Sequence, residues 1–265
     1  MIKREELQRQ LQELGVPQDV PVLMHTSLRA VGEVEGRGEG LLEVLITHVT
    51  AKGGLLCVPT HTWGNPRQPF ALDLTDPKTC IGIFPEIAAR SPEGERTAHP
   101  THSMKVFGDP ARVREYIANE GSTETPIPEC GCYGKLIASG GQVLLVGVGH
   151  NRNTFLHGVE EILEVPNRLS DIKSHLVQYP DGRVEERKMR VHKAVGIRDV
   201  SAFYPKYEPA FRYHGAIRDG WIGKAPTQLC DAKKMAEVLA LVRERSRGIE
   251  LLADDAPLPQ EYYVL

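Results

Sequence analysis

Apolar residues recur at helical spacing over residues 3–14, where Leu7, Leu11 and Leu14 stand among charges until Gly15 and Pro17 stop the run. Short unbroken apolar stretches follow at 20–24 and 55–58. Between them, 41–50 has a helical pattern and Lys52-Gly53-Gly54 turns the chain. Strand, helix and strand in succession predict parallel pairing with helices laid across the sheet. The clearest buried strand is predicted at 142–148, with a helix after it at 154–163. A further strand is predicted at 102–107, and short helices at 81–89 and 133–138. The helix at 110–119 carries Pro110 in its first turn. Runs at 173–178 and 184–191 flank Tyr-Pro-Asp-Gly, a hairpin signal. The segments at 204–213 and around Trp221, then a helix over 231–245, complete the pattern.

Two stretches have no period: 60–79, rich in Pro, Asp, Asn and Thr, and 121–131. Unpatterned loops of that length inside a compact domain are often functional. Gly32, Gly36, Gly38 and Gly40 read as a loop. No internal repeat, low-complexity tract or linker interrupts the 265 residues. The prediction is one α/β domain over 1–265, a layered sandwich with a mostly parallel central sheet.

Composition narrows the function classes. A net charge of −3 with no concentrated Lys/Arg stripe argues against a nucleic-acid partner. The five cysteines (57, 80, 130, 132 and 230) are odd in number. Cys130-Gly-Cys132 is too tight for a Cys-x-x-Cys metal or redox motif, so reduced thiols in a cytoplasmic protein are expected. The N-terminal residues lack the apolar core of a signal peptide, and no run approaches a membrane span. No membrane partner is therefore expected.

Candidate chemistry sits in three polar clusters at strand ends or on helices. Residues 96–103 read Arg-Thr-Ala-His-Pro-Thr-His-Ser, and Pro100 biases His99 toward extended backbone. Histidine is the side chain whose unperturbed pKa lets it take and give a proton near neutrality. Taken alone, the octapeptide is equally a surface loop. His25-Thr26-Ser27 follows the first strand. On the helix at 154–163, Glu160 and Glu161 stand three and four residues after His157, so either can share its face. In open parallel sheets, loops from separate strand ends share one crevice. Gly147-Val148-Gly149 lacks the third glycine of a dinucleotide fingerprint and comes only after the strand has run, so that reading is rejected. Two hydrolase readings stay open: zinc held by His99, His102, His157 and a carboxylate, or Cys132 as a nucleophile with His99 as its base.

Taken together, several stretches resemble the aminoglycoside 3-N-acetyltransferase family. They are His25-Thr26-Ser27-Leu28-Arg29-Ala30-Val31-Gly32, Ala98-His99-Pro100 with Ser103, the strand at 144–149, and Asn153-Thr154 through Leu156-His157-Gly158-Val159-Glu160. Pro166-Asn167-Arg168 and residues 204–223 add to the match. The resemblance runs over most of the chain. It implies transfer of an acetyl group from acetyl-CoA to an amine, on an α/β fold unrelated to the common small-acetyltransferase fold, with no metal. It implies His99 as general base, with Glu160 beside it. His25, Thr26, Ser27, Leu28 and Ser103 are implied at the pantetheine and thioester end of acetyl-CoA, and His157, Glu161 and Trp63 around the acceptor amine. The partners expected are these two small molecules, with a homodimer left open.

Two departures bear on the acceptor. The stretch between Trp63 and His99 is shorter than in antibiotic-modifying members, and Cys130-Gly-Cys132-Tyr133 replaces the usual Ser-Pro or Gly-Ser. A polycationic aminoglycoside calls for several carboxylates. The sequence offers Glu160, Glu161, Asp73, Asp76, Glu124 and Glu129 for that purpose.

Overall fold

A computed structural model describes residues 1–64, 69–120, 123–194 and 196–265. Positions 65–68 of the first unpatterned loop, and 121 and 122 of the second, lie outside the described residues. Helix α1 (Arg4–Leu14) buries its apolar stripe and ends where Gly15 takes a left-handed φ of 76°. The chain then enters β1 (Pro21–Thr26), the single turn α2 (Leu28–Val31), helix α3 (Arg37–Thr50) and β2 (Leu55–Pro59).

Helix α3 begins four residues before the predicted start at 41, inside the stretch read as a glycine loop. The glycines are there for close approach. A Cβ on Gly40 would stand 2.0 Å from the Glu35 carbonyl oxygen, and one on Gly38 2.3 Å from the Ile87 side chain.

The middle of the chain supplies β3 (Leu72–Asp73), α4 (Ile83–Arg90), β4 (Glu95–Arg96), β5 (Met104–Phe107), α5 (Pro110–Ile117), α6 (Cys132–Ala138) and β6 (Gln142–Val146). Then come α7 (Phe155–Ile162) and the predicted hairpin of β7 (Lys173–Gln178) and β8 (Val184–Met189). A 3-10 segment (Val200–Tyr207) runs into α8 (Glu208–Tyr213). The chain finishes with β9 (Ile217–Ile222), β10 (Ala225–Asp231) and α9 (Ala232–Arg245). The β9–β10 hairpin was visible in the sequence only as a segment around Trp221. Most of β9 is exposed or half-buried, so it has no apolar run to reveal it. Its tight turn relies on Gly223 at φ 61°, where a Cβ would meet the Val31 carbonyl oxygen at 2.5 Å.

The seven-stranded sheet has the order β4-β5-β2-β1-β6-β10-β9. Its central trio is parallel, with β1 flanked by β2 and β6; the outer strands join antiparallel. Alternation along the central strands divides the core in two. Leu23, Val143 and Leu145 pack with α5, α6, α7 and α9 on one face. Val22, Met24, Leu144 and Val146 pack with α1, α3 and α4 on the other. Strands covered on both faces read as continuous apolar runs, which is why β1 and β6 were plain in the sequence. A separate sheet of order β3-β7-β8 stands apart from the main one.

This topology sets the site. Parallel β1, β2 and β6 end at one edge. β5 runs the other way beside β2, with Met104 opposite Pro59, so the polar residues before it reach the same edge.

Candidate active site

Above that edge lies a cavity of about 1710 Å³, larger than the roughly 300–1,000 Å³ usual for one small ligand. Its floor is formed by the turns after β1, β2 and β6 and its far wall by β7 and residues 191–194 and 197–201. His25, Thr26, Ser27 and Leu28 line it where β1 turns into α2. Ser27 caps that turn, its N–H donating to the Val146 carbonyl at 2.9 Å and its Oγ accepting from the Ala30 N–H at 3.4 Å. The Thr26 Oγ1 and His25 Nε2 are buried without a hydrogen-bond partner among the described residues. Trp63, 60% exposed, and His157 also line the cavity.

His157 is the best-organised of the titratable groups. Its Nδ1 lies 2.8 Å from the Tyr204 hydroxyl, which is 2.6 Å from Glu160 Oε2. Arg168 donates to Glu160 Oε1 at 2.8 Å and to both oxygens of Glu250 at 2.9 and 3.1 Å. Burial pushes the Glu160 carboxyl upward while Arg168 and Tyr204 draw it back. With two donors on it, Glu160 acts as an acceptor. The single hydroxyl hydrogen of Tyr204 therefore points to Glu160, and the tyrosine oxygen accepts from His157 Nδ1–H. The remaining ring nitrogen, Nε2, carries a lone pair. Burial holds the ring's pKa well below its ordinary value, so it is neutral at pH 7.

His99, expected as the base, is placed otherwise. Its ring is fully buried, does not line the cavity, and accepts at Nδ1 from the backbone N–H groups of Thr101 and His102 at 3.2 and 2.8 Å. That geometry makes it a scaffold for the loop entering β5. Glu160 is joined to His157 through Tyr204, and His99 is not among its partners. Ser103 is also buried away from the cavity, its Oγ donating to the Thr60 carbonyl at 2.7 Å. Glu161 lies behind the wall, where Oε1 accepts from the Ile127 N–H at 3.0 Å and stands 2.6 Å from His192 Nε2.

Sequence reasoning did not single out His61, His192 or the role of Tyr204. His192 stacks on His157 with ring centroids 4.4 Å apart and planes 16° apart, and meets His102 edge-on at 5.1 Å. His61 lies 4.6 Å from His102 and hydrogen-bonds the Tyr133 hydroxyl at 2.6 Å. Burial and mutual repulsion keep His61 and His102 well below the ordinary imidazole range. A histidine just past a predicted strand end was the only signal available for His192.

The two hydrolase readings find little support. The zinc set of His99, His102 and His157 does not converge, and among the described residues no three His, Cys, Asp or Glu side chains are placed to hold a metal ion. Cys132 opens α6, fully buried and off the cavity; burial and the nearby Glu120 push its thiol well above the usual range. Replacing Cys132 with Ala should leave turnover within about twofold while costing roughly 1–2 kcal/mol of stability. Steady-state rates and a denaturant melt of the variant check both parts.

Comparison with known proteins bears on the same geometry. The sequence model of the family described as "Aminoglycoside 3-N-acetyltransferase" matches residues 23–242. Aminoglycoside N(3)-acetyltransferase III of Serratia marcescens is 27% identical over 86% of this chain and 92% of its own length. Aminoglycoside N(3)-acetyltransferase VII of Streptomyces paromomycinus is 28% identical over 94% of both. Among solved structures, AAC-IIIb in its binary complex with CoASH superposes with a TM-score of 0.76 at 20% identity, over 92% of this chain and 97% of that one. A histidine-to-alanine mutant of AAC(3)-IVa in complex with a gentamicin gives 0.74 at 22% identity, over 96% of both. At such identities, these structures support the fold.

Proposed function

The chain belongs to the aminoglycoside 3-N-acetyltransferase family, and on that premise we propose that it transfers the acetyl group of acetyl-CoA directly to an amine, with His157 as general base. One observation carries this reading. The Tyr204–Glu160 relay occupies His157 Nδ1–H and leaves the Nε2 lone pair on the wall of a cavity large enough for two substrates. Acetyl-CoA, when bound, supplies an activated acyl group. An ammonium has no lone pair to attack with, and a neutral imidazole within about 3 Å can take its proton. Glu160, reached through Tyr204, then favours the imidazolium.

The residues present fit the cosubstrate. The orphaned Thr26 Oγ1 is a donor that the developing negative charge on the acyl oxygen would satisfy. Arg29, in the turn after β1, and Arg152, in the turn after β6, line the mouth at neighbouring strand ends and suit phosphate oxygens. His25, Ser27 and Leu28 line the cavity where β1 turns into α2.

The acceptor is proposed to be a small amine of low positive charge. None of the six carboxylates that the sequence offered for a polycation lines the cavity. Its acidic lining is Glu186 and Asp199, both already engaged, the first by Ser174 Oγ and the second by the Ser201 N–H and Oγ. Against them stand Arg29, Arg152, Lys173, Lys193 and Arg198, none ion-paired to a described carboxylate. A multiply charged aminoglycoside would meet net repulsion there.

A CoA-release screen at constant acetyl-CoA tests both halves. Simple amines should give a kcat/KM at least tenfold above that of gentamicin. Gentamicin at about 10⁴ M⁻¹s⁻¹ or more would refute the acceptor class. No CoA release with any amine, together with no thermal stabilisation by acetyl-CoA, would refute the transferase.

A further inference from the structure

We propose that His192, backed by Glu161, is the acid that protonates the departing thiolate, so that two stacked imidazoles serve the reaction in opposite senses. This rests on the transferase reading above. His192 lines the cavity and lies flat against His157 at 4.4 Å, so a group within reach of one ring is close to the other. Its Nε2 is 2.6 Å from Glu161 Oε1. His192 Nδ1 is buried with no hydrogen-bond partner among the described residues. An unpartnered buried polar atom costs free energy unless something arrives to satisfy it, so its survival on a cavity wall points to a ligand.

The proton inventory gives the direction. Burial lifts the Glu161 carboxyl to about 7, against hydrogen bonds from the Thr125 side chain and the Ile127 N–H, which draw it down. Near neutrality the pair therefore shares one proton. Burial holds His192 at about 3, so that proton sits on Glu161 and is donated to Nε2, which leaves the hydrogen of the neutral ring on Nδ1. In that placement, Nδ1 bears a hydrogen that has no acceptor among the described residues. His157 is the reverse case, with Nδ1–H engaged by Tyr204 and Nε2 left as a lone pair. One ring is set to accept and its neighbour to donate.

The step balances as follows. Between ammonium and amide, the acceptor nitrogen sheds two protons through His157 Nε2. The first passes to water before attack, and the second is taken as the C–N bond forms. The electron pair of the breaking C–S bond goes to sulfur, which takes the Nδ1 hydrogen of His192, while Nε2 takes the proton shared with Glu161. His157 then returns its proton to His192 Nδ1 through water. Both dyads are reset, and one proton appears in solution per turnover.

A donor series tests this. With acetyl-CoA, an alkyl thioester whose thiolate needs a proton, His192→Gln and Glu161→Gln should each lower kcat by about 10²-fold. With an aryl thioacetate, whose thiolate leaves unprotonated, the same variants should lose less than about threefold relative to wild type, whereas His157→Ala should fail with both donors. Equal losses with both donors in the His192 and Glu161 variants would overturn the assignment. A second readout needs no turnover. Wild type should bind CoA about five- to tenfold more tightly than desulfo-CoA by calorimetry, from the sulfur contact with Nδ1–H. His192→Phe, which keeps the stack, should erase that preference. Absence of the preference in wild type, or its persistence in His192→Phe, would count against the proposal. If wild type turns over no amine at all, the transferase reading falls, and the sulfur contact is still decided by the binding comparison.

Discussion

His157→Ala is expected to lower kcat for acetyl transfer by about 10³-fold while leaving the fold and acetyl-CoA affinity close to wild type. His157 is half-buried at the cavity wall, and the relay behind it stays satisfied without the ring. Glu160 keeps Arg168 and the Tyr204 hydroxyl, so truncation strands no buried charge. Tyr204→Phe should give a smaller loss, about tenfold or more, because it removes the group that holds Nδ1 protonated and so loosens control of the tautomer.

His99→Ala should behave in the opposite way. It deprives two buried backbone N–H groups of their acceptor, at roughly 1–3 kcal/mol each. The result should be a lowered Tm with much of the kcat retained in the protein that folds. Measuring kcat and Tm for both variants separates the roles. Full turnover in His157→Ala would sink the assignment, as would a His99→Ala protein that melts normally yet is inactive.

The second large effect is on stability against acid. Desolvation holds His25 and His192 near a pKa of about 3, and burial with the charge of Arg187 holds His99 at about 3. His61, His102 and His157 are lowered too. Below about 6.5 the unfolded chain takes up protons on these rings while the folded chain does not. Their contribution is therefore complete above 6.5 and lost as pH falls toward 3. The three rings at about 3 alone amount to about 4 kcal/mol per pH unit. Glu161, lifted to about 7, works the other way between its unfolded pKa and 7, as do Glu120 and Glu160, also raised by burial, three carboxyls against six rings. By about pH 5 the loss should rival the roughly 5–15 kcal/mol of a typical domain. Thermal melts at constant ionic strength should show Tm falling steeply below pH 6.5. A flat Tm from pH 7.5 to 5.5 would show that these rings titrate normally.

The helices and central strands followed from local pattern because burial itself makes the pattern. A strand covered on both faces, like β1 or β6, must be apolar throughout, and a helix such as α1 must carry one stripe. The turn at His25–Leu28 and the cluster on α7 were likewise legible, since residues near in sequence reach the carboxyl edge of the sheet together. Edge strand β9 and the early start of α3 were not, because exposed strands carry no apolar run and Gly38 and Gly40 look like a loop until their neighbours are known.

The assignment of roles among the histidines was beyond the sequence altogether. His99 and His157 were both visible, but the feature that separates them is which ring nitrogen is already occupied. For His99 the occupants are its own loop's N–H groups. For His157 the occupant is Tyr204, 47 residues away. His192 gains its meaning only by stacking on a helix 35 positions earlier in the chain and meeting Glu161, 31 positions away. Local sequence determined which segments became strands and helices, and which chemical groups stood at their ends. Long-range packing decided which of those groups lost their hydrogen-bonding capacity to the scaffold and which kept it for a substrate.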